Sequence, residues 1–237
     1  MPVLLAKSAG FCFGVDHAVD AVNALLDSGE SVCTLGPIIH NPQVVEDFRR
    51  RGVQTVEQVG QVPAGAVLVI RSHGVPRRVY DEIAAAGIRC CDATCPFVAK
   101  IHRIVATRSG EKTAVLIAGD PDHPEVLGIR GHCSGDSFVF RNGAELTQQL
   151  KIVQSGNYDS CIMVSQTTFH TIEWEKCTEI AKKSCTNLQI FDTICNATAN
   201  RQQEAIHLAR QCRKMVIVGG RESSNTAKLR DVCAPYG

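Results

Sequence analysis

Three cysteines in this chain share one setting, and that repetition limits the fold more than any other feature. They are Cys12 in 9-AGFCFGV-15, Cys95 in 92-DATCPFV-98 and Cys195 in 192-DTICNAT-198. Each follows a short strand-like run, at 3–7, 88–94 and 188–194. Each opens a helical pattern. After Cys12, apolar residues recur at Val15, Ala18, Val19, Val22, Leu25 and Leu26; after Cys95 they recur at Val98, Ile101, Ile104 and Val105. The pattern after Cys195 is looser, with Ala205, Leu208, Ala209 and Cys212. A second strand (31-SVCTL, 114-AVLIA, 215-MVIV) then leads to glycine 24 residues after each cysteine, at Gly36, Gly119 and Gly219. Two units add a third strand, 66-AVLVI before Arg71-Ser72-His73 and 161-CIMV before Ser165-Gln166-Thr167.

Strands alternating with helices signal parallel α/β units. The expected fold is α/β: three pseudo-repeated small domains with mostly parallel sheets around a central cavity. Their expected bounds are 13–95, 96–192 and 193–237, the last completed in part by strand 1–12. In such sheets functional loops lie at the carboxyl ends of the strands, so all three cysteines can converge. By the same spacing the third unit's last loop would fall near 254–265, past Gly237. The third domain is therefore expected to be incomplete, or finished by another chain.

The loops after the strands look built for an anion. Segments 36-GPIIHNPQVVEDFRRRG-52, 71-RSHGVPRRVYDEIAAAG-87 and 119-GDPDHPEVLG-128 each place a histidine (His40, His73, His123) one to three residues before a helix-opening proline. Segment 219-GGRESSNTAKL-229 offers Ser223, Ser224 and Asn225 at a similar place. Helix N-termini present unpaired N–H donors and a positive dipole end. With imidazoles and hydroxyls added, a phosphate or diphosphate is the expected ligand; capping chemistry alone explains any single loop, but not four. A Walker lysine motif and a G-x-G-x-x-G are both missing, so neither ATP nor a dinucleotide is indicated.

Twelve cysteines are many for a chain with no export signal and too dilute for a disulfide scaffold. Most are expected to pack as small hydrophobes, Cys90 and Cys91 among them. One cysteine opening each repeat suggests a metal site assembled by the fold. Thiolates favour iron–sulfur clusters, and three ligands on a four-iron cluster leave one iron open as a Lewis acid. A zinc or plain thiol protein is the rival; Cys91-x-x-x-Cys95 is its weak local candidate. Glu125 reads equally as a first-turn glutamate favoured by the helix dipole or as a proton donor with a raised pKa. Thr167 and Thr168 end a strand, where either can cap the next helix or bind a ligand hydroxyl. Lys100, Arg103 and Arg108 read as a solvated helix face, with docking of an acidic electron carrier as the second reading. A net charge of +1 gives no reason to expect nucleic acid. The apolar runs are too short for a membrane span, and a cytoplasmic protein is expected.

Eight ordered segments, AGFCFGV, GPIIHNPQVVEDF, RSHGVP, DATCPFV, GDPDHPEV, SQTT, TICNAT-x-x-RQ and GGRESSNTAKL, resemble the 4-hydroxy-3-methylbut-2-enyl diphosphate reductases of the non-mevalonate isoprenoid pathway. The resemblance runs from Val3 to about Cys233. It implies a 4Fe–4S cluster on Cys12, Cys95 and Cys195, and a diphosphate held by His40, His73, His123, Ser223, Ser224 and Asn225. It implies proton delivery by Glu125 with His123 and Thr167 beside it, and electrons from a ferredoxin or flavodoxin. The products would be isopentenyl and dimethylallyl diphosphates. Two departures stand out: Asp16-His17 where the family often has a basic residue, and no Thr-Ala-Gly-Ala-Ser-like loop near the C-terminus. The second leaves an alternative, a remnant that binds diphosphate without turnover.

Overall fold

Short β-branched runs bounded by capped helices assemble into two parallel sheets. The computed structural model describes residues 3–185 and 187–236; the outermost residues of the first and last expected segments, 1–2 and 237, lie outside the described residues. In the first sheet β1 (Val32–Leu35), β2 (Gln54–Val56), β3 (Val67–Ile70) and β4 (Cys90–Asp92) run in the order β2-β1-β3-β4. In the second, β5 (Thr113–Ala118), β6 (Ser137–Phe140), β7 (Ser160–Ser165) and β8 (Leu188–Ile190) run β6-β5-β7-β8. Every pair is parallel. The α/β class and the repeat are as expected. Edge strands β2 and β6 are added to the expected plan; β2 has Val56 as its one apolar residue, and β6 is a run of only four residues.

Nine helices are described: α1 (Phe13–Asp27), α2 (Pro42–Arg50), α3 (Arg77–Ala85), α4 (Pro96–Arg108), α5 (Pro124–Arg130), α6 (Gly143–Ser155), α7 (Thr171–Ser184), α8 (Asn196–Gln211) and α9 (Ser224–Cys233). Each sheet is covered on both faces, as parallel sheets require. Ala18 and Val22 of α1 and Phe48 of α2 meet Val32 and Val69 on one face; Ile83 of α3 meets Leu68 and Ile70 on the other. In the second sheet α4 and α5 pack on Val115 and Ile117, while Trp174 of α7 packs with Leu116 and Met163. Helices α2 and α3 leave adjacent central strands toward opposite faces, and so do α5 and α7. Strand order reverses at those points, which opens a crevice at the strands' carboxyl ends.

The two crevices meet because the 72–77 loop and α5 pack closely. Gly131 has no room for a Cβ against Pro76. The Arg77 N–H donates to the Gly131 carbonyl at 3.2 Å, and His132 Nε2 lies 3.0 Å from the Val75 carbonyl.

Two expectations fail. Segments 3–7 and 215–218 form no strand among the described residues. A strand needs a neighbour for its N–H and C=O groups, and neither segment has one among the described residues. Met215 and Ile217 pack on a small cluster of Ala205, Ala209, Val232 and Cys233, but Val216 and Val218 are 83% and 89% exposed. Nor are Cys90 and Cys91 core residues: β4 is an edge strand, so Cys90 is exposed and Cys91 half-buried. Among the described residues no helix is long and apolar enough to cross a membrane.

Candidate active site

His40 follows β1, His73 follows β3 and His123 follows β5, so two switch points supply all three imidazoles. Their ring centres stand 4.4 Å (His40–His73), 5.3 Å (His40–His123) and 5.4 Å (His73–His123) apart. One ring nitrogen from each lies within 4.8 Å of the others. Buried His40 Nε2 and His73 Nδ1 have no hydrogen-bond partner, a costly arrangement unless a ligand completes it. Local sequence sets each loop. The Asn41 side chain caps α2 by accepting from the Gln43 and Val44 N–H groups, and Pro42 takes the first helical position. Gly36 turns the chain with φ of 69° where Arg71 presses against it. Pro76 sits at the cap of α3, one position before the helix.

The triad is tuned for an anion rather than a cation. His123 caps α5: its Nδ1 accepts the Glu125 N–H at 3.1 Å. That bond assigns the proton of the neutral ring to Nε2, leaving a donor there and no free lone pair for a metal. Burial, then the neighbouring His40, lowers His123 to about 4. Burial and its two histidine neighbours push His73 well below 6.5, and burial with the Arg71 charge lowers His40. A bound polyanion reverses those penalties.

The segment before α9 closes the other side. Gly220 backs directly onto the His40 carbonyl. Ser223 caps α9 by accepting the Thr226 N–H at 3.3 Å, and Ser224 accepts from the Thr168 hydroxyl at 3.0 Å. Asn225 is half-buried beside them. A cavity of about 270 Å³ opens between Asp120, His123 and Gln166 on one side and Ser223 and Ser224 on the other. The α7 cap is His170, so Thr167 and Thr168 are not caps. Gln166, for which the sequence gives no specific role, accepts the Asp120 N–H at 3.3 Å and donates to Thr168 at 3.0 Å. A polar residue straight after the buried strand β7 was its signal.

Glu125 is 2% exposed. Its carboxylate oxygens accept the Thr167 N–H at 2.6 Å and the Thr167 hydroxyl at 2.9 Å. Burial outweighs those donors and pushes its pKa up to about 7. The three cysteines each cap a helix: Cys12 α1, Cys95 α4 and Cys195 α8. Gly14, in the first turn of α1, has no room for a Cβ against Cys95 Sγ. Burial raises the Cys95 pKa, opposed by the Phe97 and Val98 N–H groups and reinforced by Cys12 and Glu125 nearby. The Cys95 N–H donates to the Ser72 carbonyl at 3.0 Å, and the Cys195 N–H to the Thr167 carbonyl at 3.0 Å. Thr167 thus joins Glu125 to the backbone of Cys195, and the first turn of α1 after Cys12 packs on Cys95. Among the described residues the histidine triad is the only set of three donors within 4.8 Å. The sulfurs are thus spaced too widely for one ion, while three unpaired thiols at helix N-termini suit a larger cluster.

A family model described as LytB protein matches residues 3–237. The chain belongs to the LytB protein family. A LytB relative from Thermoanaerobacter sp., named 4-hydroxy-3-methylbut-2-enyl diphosphate reductase, is 38% identical over 237 residues, 98% of this chain and 80% of that protein. One of the same name from Desulfovibrio desulfuricans is 40% identical, covering 100% of this chain and 84% of its own. A solved structure of (E)-4-hydroxy-3-methyl-but-2-enyl diphosphate reductase, the terminal enzyme of the non-mevalonate pathway, aligns with a TM-score of 0.71 at 34% identity, covering 99% of this chain and 83% of that one. The E-1-hydroxy-2-methyl-but-2-enyl-4-diphosphate reductase from Plasmodium falciparum shares the fold, with a TM-score of 0.85 at 23% identity over 97% of this chain and 72% of that one. The LytB chain thus falls among oxidoreductases, as its eight motifs implied.

Proposed function

We propose that the chain removes the hydroxyl of 4-hydroxy-3-methylbut-2-enyl diphosphate, giving isopentenyl and dimethylallyl diphosphates. Two electrons and two protons enter; the hydroxyl leaves as water and a C–H bond forms on the allyl unit. The observation that carries the reading is Glu125, a buried carboxyl two residues after His123 of the triad, bonded to Thr167 and with a pKa of about 7. At neutral pH it is balanced between giving and holding a proton.

In this reading His40, His73 and His123 bind the diphosphate, with Ser223, Ser224 and Asn225 closing over it. His123 donates from Nε2, the proton its cap bond to Glu125 assigns. Thr167 holds the Glu125 carboxyl in orientation through two hydrogen bonds. Cys12, Cys95 and Cys195 hold a 4Fe–4S cluster, which when bound supplies the electrons and an open iron as Lewis acid for the substrate hydroxyl. In the division at 13–95, 96–192 and 193–237 with 1–12, Cys95 closes the first unit, while Cys12 and Cys195 stand on the third at its borders with the first and second. A ferredoxin or flavodoxin in the cytoplasm delivers the electrons. An external donor is in keeping with a sequence that has no G-x-G-x-x-G.

The test is anaerobic loading with iron and sulfide, followed by turnover with a reduced one-electron carrier and analysis of the diphosphate products. Both products are expected. A colourless protein without sulfide would falsify the cluster reading; a loaded protein that binds substrate without product leaves only the binding-protein alternative.

A further inference from the structure

Residues 3–11 lead into Cys12 without joining a sheet, and two side chains of α8 hold them. Glu204 accepts the N–H of Lys7 at 2.7 Å and of Ser8 at 2.9 Å, and accepts from the Ser8 hydroxyl as well. Arg201 donates from Nε to the Ser8 carbonyl at 2.9 Å and from Nη2 to the Gly10 carbonyl at 2.8 Å. Five hydrogen bonds therefore join residues 7–10 to one turn of a helix more than 190 positions along the chain. Within the loop the one backbone bond described is Ala9 N–H to the Ala6 carbonyl, at 3.3 Å. Cys12 itself makes no side-chain capping bond. All five bonds involve a charged side chain, the stronger class of hydrogen bond.

The other end of the linkage is fixed too. Cys195 caps α8, and its N–H is bonded to Thr167. Buried Gln202, the residue after Arg201, accepts from the Thr171 N–H at 3.0 Å and hydroxyl at 3.1 Å and donates to the Phe169 carbonyl at 3.0 Å. Helix α8 is thus pinned to the second sheet's loops by one residue and grips the N-terminal loop with its neighbours. A helix keeps a fixed 1.5 Å rise per residue, so it transmits that position as a rigid spacer.

We propose that Arg201 and Glu204 form a positioning pair that sets where Cys12 stands relative to Cys195. The purpose of that placement rests on the cluster reading above; the grip itself does not. α1 ties Cys12 to the first sheet through Ala18 and Val22, and the pair supplies the tie to α8.

The experiment compares the wild-type chain with Glu204→Ala and Arg201→Ala, and with the conservative Glu204→Gln and Arg201→Lys. In apoprotein, hydrogen exchange at the Lys7 and Ser8 amides should accelerate roughly tenfold or more in Glu204→Ala, while β5 and β7 keep their rates. After anaerobic loading, both alanine variants should lose iron to a chelator roughly tenfold faster, with Cys12 alkylated ahead of Cys95 and Cys195 when mapped by mass spectrometry. The conservative variants should fall between. Unchanged Lys7 and Ser8 exchange in Glu204→Ala overturns the proposal. So does equal labelling of the three cysteines with unaltered iron release. If wild-type chain takes up neither iron nor sulfide, the cluster reading fails instead, and apoprotein exchange and Cys12 labelling still decide the grip.

Discussion

Strand β5 and segment 215–218 occupy matching places in the repeat, each leading to the glycine 24 residues after its cysteine. β5 pairs on both sides, with β6 and β7, and its residues from Ala114 to Ala118 are fully buried. Segment 215–218 is as β-branched and apolar, yet it pairs with nothing described and leaves Val216 and Val218 in solvent. Apolar content makes a strand possible; lateral partners and cover on two faces make it one. The loop that follows survives the difference. Ser223 still caps α9, and Gly220 still backs His40, because capping and close backbone approach are local. The loop leading into α9 therefore rests on a helix N-terminus and a few contacts, while the histidine loops after β1, β3 and β5 rest on sheets.

That contrast can be broken or sharpened by measurement. The largest effect belongs to a sheet-anchored group: Glu125→Gln removes the carboxyl proton and should lower turnover by roughly 10²–10⁴-fold while substrate binding and iron content persist. Normal turnover would take Glu125 out of the proton path. Next, Leu116→Ala empties a fully buried site in β5 and should cost about 2–5 kcal/mol in denaturant unfolding; a loss below 1 kcal/mol would mean the second sheet is no firmer than the third unit.

A smaller effect concerns pH. The triad is neutral when empty, with His123 at about 4, and a bound anion raises those pKa values. Binding then takes up protons, so affinity for inorganic diphosphate should strengthen as pH falls below neutrality. The gain is at most about tenfold per unit for each histidine that charges, and it levels off toward 4. Glu125 acts in the same direction, losing its negative charge below about 7. Isothermal titration across pH 5–8 checks this, and flat affinity would mean the imidazoles bind without protonation. Smallest of all, Val216→Ser and Val218→Ser should each change stability by less than about 0.5 kcal/mol, whereas losses near those of Leu116→Ala would reveal a partner for that segment.

Much of the site was readable from residues alone. The prolines and Asn41 that open helices, the histidines before them and the three cysteine caps all follow from rules spanning a few residues. What those rules could not show is which side chains meet across domains. From its own neighbours Thr167 could be a helix cap or a ligand partner; only the resemblance put it near Glu125, which it holds from 42 positions away. Gln166, Gln202, Arg201 and Glu204 are ordinary polar residues on a loop and a helix until their long-range partners are known. Cys90 looked like core because strand residues usually are, and only its place on a sheet edge exposes it.

By itself the sequence determined the repeated α/β plan, since periodicity and capping are written in neighbouring residues. It also determined the chemistry available: imidazoles, thiols and one carboxyl at strand ends. Tertiary structure alone decided that two switch points face each other, that burial carries Glu125 up to about 7 and His123 down to about 4, and that a third apolar run stays unpaired. Desolvation, proximity and strand pairing depend on what surrounds a residue in space, and that neighbourhood exists only once the chain has folded.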